Sequence, residues 1–125
     1  MVARQQRYTT AAFEQFIALP ENADRRFELI AGEIVEKMPT QFHAAIVQLI
    51  SGYLFVFLLD NPLGWALVEA RYQLPGDDAN ARIPDLSFVR DRSRSLTHAG
   101  AAPYMPDLAV EVQSPDDSPK RMREK

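Results

Sequence analysis

Apolar side chains along this chain recur with two periods, and the alternation between them predicts the elements. Phe13, Phe16 and Ile17 fall at helical steps behind Thr9 and Thr10, whose hydroxyls suit an N-cap. The spacing predicts a short helix over 11–18, ended at Leu19-Pro20 because the residue before proline leaves the α region. In FELIAGEIVEKMP the period changes to two, and Ala31-Gly32 separates two short apolar-polar stretches. This predicts a β-hairpin with Gly32 at positive φ, closed by Pro39. From 41 to 59, Ile46, Leu49, Ile50, Tyr53, Leu54, Phe57 and Leu58 return at steps of three and four. The second half is apolar nearly all round, so a central, buried helix is expected. Asp60-Asn61-Pro62 and Gly64 end it.

Three strands follow in the pattern, over 65–74, 81–89 and 107–112. Between them lie a polar turn at Pro75-Gly76 and GDDANA, which lacks the spacing of a calcium loop, and a small-residue loop over 91–102 with room for a short helix. After 112, SPDDSPKRMREK begins a helix, with Pro119 suited to its first turn and Asp116 and Asp117 to its positive end. A basic stub that short neither stands as a helix nor covers a sheet, so the natural chain is expected to continue beyond Lys125. The aromatic residues Phe55, Phe57, Trp65, Tyr72 and Phe88 fall at positions expected to be core.

With 125 residues, one domain is the natural count. Hydrophobic residues make up 46% and charged residues 25%, which excludes disorder. There is no cysteine, so disulfides and thiolate sites are excluded, and two histidines, His43 and His98, do not build an imidazole zinc site. A metal would have to rest on carboxylates, which suit magnesium or manganese. The net charge of −3 and pI near 5.3 are not those of a strongly basic nucleic-acid binder. The opening MVARQQRYTT lacks the apolar core of a secretory signal, and the run 54–59 is too short for a bilayer span, so a cytoplasmic protein with no membrane partner is expected.

The chemistry concentrates in two carboxylates set in apolar strands, Asp85 in IPDLSFV and Glu111 in DLAVEVQ. A buried carboxylate needs compensation, and a divalent cation is one such partner. Were the two strands adjacent, both side chains would converge on one ion, and alternation would place Gln113 on the same face as Glu111. The competing account is that each acid sits on an open sheet face, in contact with water.

Pro84-Asp85 followed by Glu111-Val112-Gln113 resembles the PD-(D/E)xK nuclease signature. The wider frame is similar to the Uma-two family of restriction-endonuclease-like proteins. The segments that carry the likeness are RYTTAAFEQFIALP, RRFELIAGEIVEKMP with His43 after it, RIPDLSFV, and PDLAVEVQSPDD with Glu124-Lys125 at the end. They cover nearly the whole chain in order. The resemblance implies an α/β (α+β) fold of restriction-endonuclease type, a mixed sheet flanked by helices, with a last helix and strand beyond Lys125. It implies Asp85 and Glu111 as ligands of Mg2+ or Mn2+, hydrolysis of phosphodiester bonds in DNA, and a homodimer. Gln113 stands where the signature has lysine, and Lys125 is the best match for the lysine that replaces it, with Lys120 second. Glu28 matches a third acid of the family, although alternation alone would turn it to solvent, and His43 matches a phosphate contact or proton carrier. Arg71, Arg82 and the Lys120-Arg121-Arg123 cluster read as surface charge that a phosphate backbone could touch. The alternative function is a catalytically inactive module of the same fold that binds nucleic acid or protein; a third reading is a structural domain whose acids simply face water.

Overall fold

A computed structural model describes residues 6–113. The chain runs α1 (Thr10–Ile17), β1 (Phe27–Ile30), β2 (Glu33–Glu36), α2 (Gln41–Asp60), β3 (Gly64–Val68), β4 (Leu86–Arg90) and β5 (Leu108–Val110), with one 3₁₀ turn at Pro20–Asn22. Thr9 caps α1 by accepting from the Ala12 N–H, and Thr40 caps α2 by accepting from the His43 N–H. Both helices begin within a residue of the expected position.

β1 and β2 form the expected hairpin, with Phe27 opposite Glu36 and Ile30 opposite Glu33. Its two-residue loop has Ala31 and Gly32 both at positive φ (49° and 82°), the twist that a tight hairpin favours. β3, β4 and β5 form a second antiparallel sheet in that order. Leu29 and Ala81 exchange both backbone hydrogen bonds at 2.9 Å and so tie the hairpin to the segment that leads into β4. The expected α+β architecture is present, but parallel pairing among the described residues is limited to one isolated bridge, Tyr72 to Ala102.

Phe13 of α1 is fully buried against Phe27, Leu29 and Ala81, and a second cluster gathers Tyr72, Val89 and Ala102 under the three-stranded sheet. Asp77 and Asp78 serve the turn itself: Asp77 accepts from the Ala79 N–H, and Asp78 accepts from the Thr10 hydroxyl at 2.7 Å.

The structure departs from several of these expectations. The strand expected over 65–74 stops at Val68, because Glu69 takes positive φ (58°) and turns the backbone out of the ladder. The strand expected over 81–89 pairs continuously only from Leu86, with residues 81–82 engaged in isolated bridges, and the loop over 91–102 holds no helix. The long helix is not central. Its only buried residues are His43 and Leu58, and Phe55 and Phe57, expected in the core, are mostly exposed. α2 packs against β3. Gln48, Ser51 and Gly52 interrupt the apolar run without interrupting the helix, so its twenty residues are long and apolar enough to cross a membrane by length and composition, which a reading of the run over 54–59 alone had excluded.

Candidate functional site

β4 and β5 are adjacent, as a shared carboxylate site requires. Their last pair is Leu86 opposite Val110, so Asp85 and Glu111 are the next residues at the same end of the sheet. Asp85 is 1% exposed. Its Oδ2 accepts from the Val112 N–H at 2.8 Å and lies 3.1 Å from His43 Nε2. Its Oδ1 accepts from Lys37 Nζ at 3.1 Å. The reading in which Asp85 faces water is therefore overturned: the carboxylate is buried, and two side chains and one main-chain N–H compensate it.

Lys37 follows β2 directly. Its own N–H bonds to the Arg26 carbonyl, which fixes the backbone and lets the side chain turn inward. That side chain is 7% exposed. The ammonium donates to the Ile83 carbonyl at 2.6 Å, to Asp85 Oδ1 and to Glu69 Oε1 at 3.1 Å. Glu69 also pairs with Arg26 at 3.3 Å. Burial, the largest single influence on the Lys37 amine, lowers its pKa, but Asp85, Glu69 and Glu28 together hold it above the ordinary lysine value. Burial likewise pushes the Asp85 carboxyl up, but the Val112 N–H, Lys37 and His43 outweigh it and hold the pKa below the usual carboxylate range. At neutral pH the pair is an ion pair.

Glu28 is 0% exposed, so it does not alternate to solvent. All four residues of β1 are buried, because α1 covers one face of the strand and the chain around residue 83 covers the other. Glu28 Oε2 accepts from the Ile83 N–H at 2.9 Å, while its Oε1 is buried with no hydrogen-bond partner among the described residues. His43 enters from the first turn of α2, and its Nδ1 is also buried without a partner among the described residues. An open pocket of about 340 Å³ lies beside the cluster, lined by Arg26, Pro39, His43, Val47, Ser51 and Glu69.

The structure thus brings together Asp85, Glu28 and His43 among the residues expected from sequence, and adds Lys37 and Glu69, which sequence reasoning missed. Glu111 is half-buried one step past β5, and Gln113 is exposed; residues 111–113 lie outside the strand, so alternation does not govern their faces. Lys120 and Lys125, with Arg121 and Arg123, lie outside the described residues. Arg71 pairs with Glu14 at 3.6 Å, and Arg82 donates to Asn80 Oδ1 at 3.3 Å.

One family model, Uma2, described as "Putative restriction endonuclease", matches residues 13–125. The chain belongs to the Uma2 family. A comparison with curated proteins gives no match. Family membership supports a nuclease-like function for this Uma2 chain.

The cluster's donors suit a hard divalent cation: they are carboxylate oxygens, and Glu28 Oε1 is a buried acceptor that nothing among the described residues satisfies. Their present arrangement is not a finished site. Among the described residues no three Asp, Glu or His side chains stand close enough to hold an ion, and Lys37 lies on the Asp85 oxygen that one would use.

Proposed function

We propose that this Uma2 chain is a cytoplasmic endonuclease that hydrolyses phosphodiester bonds in DNA with Mg2+ or Mn2+ held at the Asp85 cluster. The observation that carries this reading is the burial of two carboxylates, Asp85 and Glu28, beside one open pocket, with one acid oxygen left unsatisfied. Asp85 and Glu28 would hold the ion, with Glu111 next to them at the sheet end. When bound, such an ion polarises a phosphate and lowers the pKa of an attacking water. His43 orients Asp85 through Nε2, and Arg26 on the pocket wall supplies positive charge to a phosphate.

The test is nicking of supercoiled DNA by the purified chain in manganese and in chelator. Cleavage only in manganese supports the reading. DNA binding without cleavage would favour the inactive module instead, a reading that the full pairing of Asp85 also suits.

The homodimer has support of its own in α2. Phe42, Ile46, Leu49, Tyr53 and Val56 recur at steps of four and three, the spacing of a coiled-coil seam. They lie opposite the His43–Leu58 side that faces the protein, and Phe42, Leu49, Tyr53 and Val56 are 76%, 63%, 79% and 61% exposed. With Phe57 alongside, 52% exposed, the stripe is a contiguous apolar surface of the kind that marks a protein–protein contact. We read α2 as a helix that packs on a second copy rather than one that enters a bilayer. Leu49→Glu with Tyr53→Glu is expected to convert a dimer to a monomer in light scattering without loss of helical signal. A wild-type monomer at high concentration sinks the idea.

A further inference from the structure

We infer that Lys37 is an internal counter-ion that occupies the cation position at Asp85 in the ion-free protein and gives it up when a divalent cation binds. The inference rests on the cation-dependent part of the reading above, and it requires neither DNA nor cleavage.

The surroundings of Nζ are those of a bound metal ion. It touches one main-chain carbonyl oxygen, of Ile83, and two carboxylate oxygens, of Asp85 and Glu69, and no other kind of atom is bonded to it. These are the ligand types that hard divalent cations take. A lysine ammonium has three donors, and all three are used.

The charge is only partly balanced. Asp85, Glu69 and Glu28 all act on this one ammonium. Arg26 reaches Glu69 from the outside, but it does not reach the two fully buried acids. Among the described residues, the buried Glu28 Oε1 has no hydrogen-bond partner. Exchange of a single positive charge for a double one would correct both deficits, with Asp85 and Glu28 as the residues that would hold the ion.

Lysine is the residue suited to this role. Its charge sits on a flexible four-carbon stem, and it needs no fixed plane, unlike arginine. Glu69 gives it somewhere to go. That side chain is partly exposed and lines the pocket, so Lys37 can leave Asp85 and keep Glu69. The backbone of Lys37, held by the Arg26 carbonyl, need not move.

The experiment is a manganese titration by calorimetry on the wild-type chain, Lys37→Met and Lys37→Arg, with thermal melts in chelator and in manganese. Methionine keeps the length of the stem and removes the charge. Lys37→Met is expected to bind manganese at least about tenfold tighter, the scale of removing one like charge a few ångströms from the ion. It should melt lower than wild type in chelator and gain more from manganese. Lys37→Arg should bind no tighter than wild type. Equal or weaker binding by a folded Lys37→Met, with no larger gain in its melting point, overturns the inference. If Lys37→Met is unfolded in chelator, circular dichroism on adding manganese decides: recovery of structure supports the exchange, and no recovery overturns it. A wild-type chain that binds manganese but cleaves no DNA would count against the proposed endonuclease and leave the exchange standing.

Discussion

Asp85→Ala is expected to lower folding stability by about 3–5 kcal/mol, the cost of leaving a buried charge without its partner, and to abolish any cleavage. Lys37 would keep Glu69 but lose its bond to Asp85, and it would sit beside a small cavity in a nearly dry site. The Val112 N–H and His43 Nε2 would lose their acceptor at the same time. The double variant Asp85→Ala with Lys37→Met should be more stable than Asp85→Ala alone, because the stranded charge is gone. Removing both ends of a buried pair is commonly far less harmful than removing one. Urea unfolding of the wild type, both single variants and the double variant gives the coupling directly, since contacting residues fail to add. A coupling near zero would mean that Lys37 and Asp85 do not act on one another in solution. A coupling of more than about 1 kcal/mol would fit the buried geometry described above.

The parts of this arrangement that were legible in the sequence are those encoded locally. Thr9 and Thr40 stand directly before apolar helical patterns, and each caps the helix it announces. Ala31-Gly32 between two short alternating stretches gives the hairpin, because Gly32 takes positive φ freely, while the positive φ of Ala31 is not announced by its residue type. Asp85 was legible as an anomaly, one carboxylate inside an apolar strand, and the adjacency of β4 and β5 follows from their order along the chain. Lys37 and Glu69 were not legible. A lysine after a hairpin strand and a glutamate after a sheet strand look like ordinary solvated ends, and only the fold brings them 3.1 Å apart. Glu69 carries a further irregularity, its positive φ, and no residue type at that position announces it. The error over α2 has a different cause. Hydrophobicity on all sides of a helix reports that its surface avoids water, not what covers it. Equating the two placed Phe55 and Phe57 in a core that the described residues do not build around them. Glu28 shows the converse. Alternation would have put it in water, but both faces of β1 are covered, so the period of the strand decides nothing there.

Glu28 also separates the structural from the chemical use of this cluster, through two substitutions. Glu28→Gln keeps an amide oxygen that can accept from the Ile83 N–H and changes the volume little, so the fold should melt close to wild type. Glu28→Leu removes that acceptor and leaves a buried main-chain donor unsatisfied, a loss of about 1–3 kcal/mol. If the buried Oε1 is there to receive a cation, Glu28→Gln should lower manganese affinity by roughly 10–100-fold, the range seen when a group that supports a metal site is removed. Cleavage, where the wild type shows it, should fall at least as far, because the missing charge is needed while negative charge builds on the phosphate. The two measurements distinguish the roles cleanly. A Glu28→Gln chain that melts, binds manganese and cleaves like wild type would make Glu28 a structural clamp on Ile83 and nothing more. A chain that melts like wild type but no longer binds the ion would place Glu28 beside Asp85 as a ligand, and would make the hairpin, rather than the strand that ends at Val110, the source of the second acid.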